Sequence, residues 1–133
     1  MKVILGFLVF IVLGGFSCSD EAELTNTWFG EETVLSPGVH YQSEDLGFSF
    51  SVGAIHDSRC PEGVVCVWQG EVTVELIIKM QETKKVTLKS VHHPVDTLGR
   101  YTFELVEVYP YPKYKQPLDY SDYRITLRMG NLP

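Results

Sequence analysis

Apolar and polar residues alternate along most of the chain, most clearly between residues 46 and 54. There Leu46, Phe48, Phe50 and Val52 are separated by small or polar residues. Because successive side chains of a β-strand point to opposite faces, this pattern predicts a strand with one buried face. A sustained helical period with capping residues does not occur. The same criterion predicts strands at residues 28–35, 46–56, 64–68, 71–80, 85–88, 101–108 and 123–129.

Turn-forming residues separate these strands, for example at 36–38, 61–63 and 98–99. The connections are too short for helical crossovers, so neighbouring strands are expected to pair antiparallel. About seven or eight such strands predict an all-β domain with an antiparallel, immunoglobulin-like β-sandwich. A small β-barrel is the alternative. Gly53, which lies inside a predicted strand, indicates a β-bulge.

The first 17 residues have the pattern of a signal peptide. Lys2 supplies a positive charge, and Val3–Leu13 form an apolar run that suits a secretory signal and is too short to cross a bilayer. Small residues then lead to Cys18. This arrangement resembles bacterial lipoprotein signal peptides, and the resemblance implies that Cys18 carries the lipid. The alternative is ordinary secretion with cleavage near Ser17.

A lipid on Cys18 would tether the mature protein to a membrane of the cell envelope, in the periplasm or at the surface. Residues 18–26 are polar and acidic, which is typical of a flexible tether, and residues 27–133 have the length of one domain. The net charge is −6 and becomes −7 when Lys2 leaves with the signal peptide. This acidic balance argues against nucleic acid as a partner, because nucleic-acid binding requires clustered Lys and Arg.

Cys60 and Cys66 are predicted to form a disulfide. With Cys18 assigned to the lipid they remain as a pair, and an oxidising compartment closes such pairs. Closing a loop of this length contributes about 2.4 kcal/mol in the chain-entropy treatment. A zinc site normally needs four nitrogen or sulfur ligands, and a redox site needs C-x-x-C, so neither is favoured. Trp68 is expected to bury its ring beside the sulfur atoms.

Residues 57–76, DSRCPEGVVCVWQGEVTVEL, resemble a signature of small bacterial lipoproteins and secreted proteins. The signature has the form DSRCP-x4-CVW-x-G and follows a strand. These proteins also have a strand that leads into P-x-P, here Tyr101–Val108 and Tyr109–Pro112, and a last strand that begins with tyrosine, here Tyr123–Met129. The resemblance covers nearly the whole mature domain. It implies an exported single-domain β protein and no particular activity.

Asp57, Ser58 and Arg59 precede the first cysteine, and two hypotheses describe them. In the functional hypothesis the loop presents Arg59 to a partner, as some protease inhibitors present a basic residue beside a cysteine. In the structural hypothesis Asp57 or Ser58 caps the turn, and Arg59 pairs with Asp57 or another acid. The structural hypothesis is favoured, since Asp and Ser form turns without any partner protein.

Five tyrosines lie between residues 109 and 123, where three prolines stiffen the backbone. Tyr109, Tyr111 and Tyr114 are the candidate binding residues of this segment, because exposed rings can stack on a glycan or dock a protein. The alternative, which we favour, is that the rings cover one open end of the sandwich.

The four histidines offer a weak case for a metal site. His92 and His93 are adjacent, and adjacent side chains of a strand point to opposite faces, so the two would not bind one ion together. A metal site would require at least two of the four, which include His40 and His56, to converge. We therefore expect no metal and no other cofactor.

Motifs of catalysis are missing from the sequence: it has no G-x-S-x-G, no H-E-x-x-H and no glycine-rich phosphate loop. We therefore expect a non-enzymatic binding or structural module of the bacterial cell envelope. Its expected partners are the membrane, through Cys18, and an envelope protein or a glycan. A protease-inhibitor-like protein and a metal-binding envelope protein are the alternative hypotheses.

Overall fold

A computed structural model describes residues 29–43 and 46–133. The predicted signal peptide, the predicted lipidation site Cys18 and the predicted acidic tether lie outside these residues. The described chain contains one 3-10 helix, Tyr120–Asp122, and eight strands. The strands are β1 (Glu32–Leu35), β2 (His40–Ser43), β3 (Phe48–Asp57), β4 (Val72–Lys79), β5 (Thr83–Lys89), β6 (Val95–Leu98), β7 (Tyr101–Tyr109) and β8 (Arg124–Asn131).

The strands form two antiparallel sheets of four. One sheet has the order β1-β8-β7-β6 and the other has the order β2-β3-β4-β5. Three successive connections within the second sheet join adjacent antiparallel strands: short turns join β2 to β3 and β4 to β5, and the longer segment 58–71 joins β3 to β4. The predicted antiparallel β-sandwich is confirmed, and in the described residues the two sheets stay separate instead of closing into the alternative barrel.

The core lies between the inner faces of the two sheets. Every second residue of β4 and of β8 is buried, as the alternation of the sequence predicted. Aromatic rings close the core near the start of β3, where the ring centroids of Phe48 and Tyr101 are 5.0 Å apart in an edge-on arrangement. The buried residues of β4 and β8 are Val72, Val74, Leu76, Ile78, Ile125, Leu127 and Met129.

A β-bulge interrupts the pairing of β3 with β4. The register shifts between Val52 and Ile55, as predicted from Gly53. A Cβ atom at Gly53 would lie only 3.0 Å from the side chain of Ile77, so the glycine leaves room for Ile77 on the outer face. The Tyr120 hydroxyl lies 2.7 Å from the carbonyl oxygen of Val52 and 2.6 Å from that of Gly53. The bulge therefore turns backbone carbonyls toward the chain that precedes β8.

The structure differs from the predicted strands in three places. The strands β2 and β6 have four residues each and lie at sheet edges, where a short polar strand leaves little alternation to detect. The predicted strand at 64–68 is wrong, because this segment forms bends in the β3–β4 loop. Neither sheet extends to it, so its apolar side chains have no core to join.

The two ends of the sandwich carry different features. Phe29, where the described chain begins, pairs with Met129 and stacks on Tyr101 at the first end. Residues 58–71 and 110–123 connect strands at the second end. Since β3 and β7 are nine to ten residues long, about 30 Å separates the two ends. None of the helical segments in the described chain has the length and apolar character that crossing a bilayer requires.

Leu88 and Thr87 test the assignment of the two faces of β5, because Leu88 is fully buried and Thr87 is exposed. We expect Leu88→Ala to lower the free energy of unfolding by about 2–5 kcal/mol, since it removes core contacts and leaves a cavity. The matched control Thr87→Ala should change it by about 0.5 kcal/mol or less. Urea denaturation followed by circular dichroism measures both. Equal losses would contradict the assignment.

Candidate functional site

The loop between β3 and β4 is closed by the predicted disulfide. The Sγ atoms of Cys60 and Cys66 are 2.12 Å apart, with their Cα atoms 5.9 Å apart, which confirms the pairing. The backbone N–H of Cys60 donates to the carbonyl of Gln69 at 2.9 Å. This bond continues the β3–β4 hairpin beyond the strands, so the disulfide constrains the outermost part of the loop. Residues 58–70 are called the disulfide loop below.

Ser58 is part of the base of this loop. Its N–H donates to the carbonyl of Glu71 at 2.9 Å, and its hydroxyl donates to the same oxygen at 2.8 Å. The N–H of Glu71 lies 3.2 Å from the Ser58 hydroxyl oxygen, which accepts from it. All these bonds join the two sides of the hairpin, as the structural hypothesis for Ser58 predicted.

Gly70 allows the two sides of the loop to approach each other. Its φ angle is +69°, in the left-handed region that favours glycine. A Cβ atom at this position would lie 1.8 Å from the carbonyl oxygen of Ser58 and 3.0 Å from the Cα atom of Arg59. Any other residue would therefore have to push the two sides apart.

Arg59 connects the disulfide loop to the end of β7. Its Nε lies 2.8 Å from Asp57 Oδ1 and its Nη2 lies 2.6 Å from Asp57 Oδ2, which is a bidentate ion pair. The Nη1 atom donates to the carbonyl of Val108 at 2.7 Å, and Nη2 also donates to that of Pro110 at 2.9 Å. The guanidinium lies over the Tyr111 ring, 4.7 Å from its centroid. One side chain thus contacts four groups: the Asp57 carboxylate at the end of β3, the two backbone carbonyls and the Tyr111 ring.

This ion pair is well shielded, with the side chains of Arg59 and Asp57 only 11% and 6% exposed. The buried Tyr123 hydroxyl donates to Asp57 Oδ2 at 3.2 Å. Burial, followed by the charge of Asp57, raises the pKa of Tyr123 above its ordinary value, so the hydroxyl keeps the proton that it donates. The predicted Arg59–Asp57 pair is confirmed. Its inward position counts against the inhibitor hypothesis, which requires Arg59 to project.

Backbone hydrogen bonds join the disulfide loop to residues 109–123, called the tyrosine segment below. The N–H of Glu62 donates to the carbonyl of Pro112 at 2.9 Å, and the N–H of Tyr114 donates to the carbonyl of Glu62 at 3.1 Å. Together with Arg59, these bonds make the two loops one surface at the second end of the sandwich.

The outermost side chains of the disulfide loop are apolar and exposed. Val65 is fully exposed, and Val67 and Trp68 are 94% and 82% exposed. The expectation that Trp68 buries its ring beside the disulfide is wrong. The short base of the loop places Gln69 opposite Cys60. Residues 61–68 therefore lie beyond this pair, outside the sandwich. Val65, Val67 and Trp68 are called the apolar tip below.

The three candidate tyrosines lie beside the disulfide loop. Tyr109, Tyr111 and Tyr114 are 64%, 38% and 54% exposed, so each offers part of its ring to solvent. The Nζ atom of Lys115 lies 5.2 Å from the Tyr114 ring centroid. Tyr123, by contrast, is buried and closes the end of the core. Tyr123 therefore covers the end of the sandwich, as the favoured alternative predicted for these rings, while the binding role of Tyr109, Tyr111 and Tyr114 stays a prediction.

His92 and His93 each contact a different carboxylate. His92 Nδ1 lies 2.8 Å from Glu71 Oε2, and this hydrogen bond lowers the pKa of the Glu71 carboxyl below its ordinary value. His93 Nε2 instead lies 3.7 Å from Asp96 Oδ1. Within residues 29–43 and 46–133, no three His, Cys, Asp or Glu side chains come together as a metal site would require.

Comparison with known proteins found no match for this chain. No protein-family model matches the chain, and no curated protein or solved structure matches it significantly. The resemblance of residues 57–76 to small bacterial lipoproteins therefore stays a prediction.

Three parts of the site were not predicted from the sequence. These are the exposure of the apolar tip, the contacts of Arg59 with Val108 and Pro110, and the position of Lys113 beside Glu62. The exposure of the apolar tip has a signal in the sequence. A disulfide across so short a loop leaves the residues within it and directly after it little room to reach a core. The other two are contacts between segments about 50 residues apart, which local patterns do not report.

Gly70→Ala tests the close approach at the base of the loop. We expect it to lower the free energy of unfolding by about 1–3 kcal/mol more than the control Gly99→Ala, because its Cβ atom would overlap the Ser58 carbonyl. Gly99 has a similar φ angle of +61° and open space around it, so its substitution reports only the backbone strain, about 1–2 kcal/mol. Urea denaturation measures both. Equal effects would show that the loop base is not close-packed.

Proposed function

We propose that this chain is an exported, non-enzymatic binding module that a lipid on Cys18 holds at the cell envelope. It binds its partner through the second end of the sandwich, where the disulfide loop and the tyrosine segment form one surface. An envelope protein, a glycan or a membrane could occupy this surface. The proposal assigns no catalytic residue.

The observation that carries the proposal is the exposure of the apolar tip on a rigid base. Apolar side chains that a folded domain exposes together mark interaction sites more often than isolated ones do. Here Val65, Val67 and Trp68 lie within four residues of sequence, on a loop held by the disulfide and by Arg59. Rigid side chains on a constrained loop lose little conformational entropy when they bind.

The position of the surface suits a tethered protein. The chain reaches Phe29 at the first end of the sandwich, so the apolar tip lies at the end away from the proposed anchor. A domain tethered in this way would present the tip outward from the anchoring membrane. Tyr109, Tyr111 and Tyr114 enlarge the same surface.

Photo-crosslinking in cells that export the chain tests the proposal. A benzophenone amino acid is placed at position 68 or at position 111, with position 34 as the control. Val34 is 55% exposed and lies on the edge strand β1, which belongs to neither loop. We expect discrete adducts from positions 68 and 111 and none from position 34, because only the first two lie in the proposed binding surface.

The mass of each adduct identifies the class of partner, since a protein, a glycan and a lipid add different masses. Adducts of equal yield from all three positions, or from none, would contradict a binding role for the second end.

A further inference from the structure

The apolar tip has a composition that suits one kind of partner more than others. Between Gly63 and Gln69 the loop reads VVCVW, and the cysteine is oxidised, so no polar side chain stands at the tip. Protein interfaces of standard size carry about 10 hydrogen bonds and involve about 20–30 residues on each side. Three exposed apolar residues with no polar side chain among them offer neither.

Lipid interfaces require a different arrangement. An apolar group enters the acyl region, aromatic rings occupy the headgroup level, and basic residues pair with anionic headgroups. The apolar tip supplies the first of these, and Tyr109, Tyr111 and Tyr114 supply exposed rings on the neighbouring segment.

The charge around the tip also fits a lipid interface. Lys113 and Lys115 are exposed and lie on the tyrosine segment, where the backbone of Lys113 forms a β-bridge with that of Glu62 in the disulfide loop. Beyond the balanced Arg59–Asp57 pair, the two loops carry two positive side chains, Lys113 and Lys115, and three negative ones, Glu62, Asp119 and Asp122. Their net charge is thus −1 in a domain whose mature charge is −7, so most of the negative charge lies elsewhere, and the two lysines beside the disulfide loop are the groups that can pair with anionic headgroups.

We propose that the apolar tip inserts into the interface of a lipid bilayer, with Lys113 and Lys115 at the headgroups. This inference rests on the proposed function and names its partner. Val65, Val67 and Trp68 enter the bilayer, while the disulfide and Arg59 keep the loop from folding back.

The distance between the anchor and the tip indicates which bilayer is contacted. Residues 18–28 can span at most about 40 Å when fully extended. The sandwich is about 30 Å long, and the chain enters at its far end from the tip. Contact with the anchoring bilayer would require the tether to run the whole length of the domain, so an opposing membrane is the favoured target.

Vesicle binding tests the inference directly. Because both sheets and their core lie within residues 29–133, the test uses the chain from residue 18 onward, with Cys18→Ser to remove the lipid and Trp28→Phe to leave Trp68 as the one tryptophan. Vesicles of phosphatidylcholine with 30% phosphatidylglycerol are added, and Trp68 emission is recorded. We expect a blue shift, and quenching by lipids brominated along the acyl chain.

Variants on this background separate the contribution of the apolar tip to vesicle binding from that of the two lysines. Val65→Ser with Val67→Ser should lower the partition coefficient about tenfold or more, because less apolar surface enters the bilayer. Lys113→Gln with Lys115→Gln should lower it about fivefold per lysine on the anionic vesicles and leave it unchanged on pure phosphatidylcholine. Val34→Ser, the same type of substitution at an exposed position of β1, should leave the partition coefficient unchanged.

Two results would overturn the inference. One is a Trp68 emission that does not change on any vesicle, and the other is a partition coefficient that is the same with and without the two valines. Neither result affects the proposed binding role, since protein or glycan adducts at position 68 would still support it. Absence of adducts at positions 68 and 111 would instead contradict the proposed function, even where the tip binds vesicles.

Discussion

The guanidinium of Arg59 is the contact on which the second end of the sandwich depends. It pairs with Asp57 in its own loop and donates to the carbonyls of Val108 and Pro110, which are 49 and 51 residues away in the chain. A buried ion pair adds little stability by itself, because desolvation of both charges opposes their attraction. Loss of one partner costs about 3–5 kcal/mol, since the other charge stays buried alone. Arg59 therefore acts mainly by fixing the position of the tyrosine segment relative to the disulfide loop.

This arrangement explains how the domain tolerates exposed apolar side chains. An unconstrained loop with Val65, Val67 and Trp68 would collapse onto the nearest apolar surface, because burial of each side chain contributes about 1.5–3 kcal/mol. The disulfide and the close approach at Gly70 prevent such a collapse. The core, which is built by the two sheets, does not require the tip, so the stability of the fold and the proposed binding surface rest on different residues.

The fold could be predicted from the alternation of the sequence, because burial of one strand face leaves a period of two. The faces of β4 and β8 and the bulge at Gly53 were all predicted in this way. The same criterion failed for residues 64–68, since apolar composition does not distinguish a buried strand from an exposed tip. It also missed β2 and β6, which are too short for a period to appear. Local sequence predicted the pairing of Arg59 with Asp57, whereas its contacts with Val108 and Pro110 depend on the packing of distant strands.

Amide hydrogen exchange in an Arg59→Lys variant tests the central claim most directly. Lysine keeps the positive charge but cannot bind the Asp57 carboxylate and both carbonyls at once. If Arg59 joins the two loops, the amides of Glu62 and Tyr114, which form the bonds between them, will exchange about tenfold faster or more, while that of Leu76 in β4 stays unchanged. The control Arg100→Lys, at an exposed position, will change none of them. Unaltered exchange at Glu62 and Tyr114 in Arg59→Lys would contradict the account.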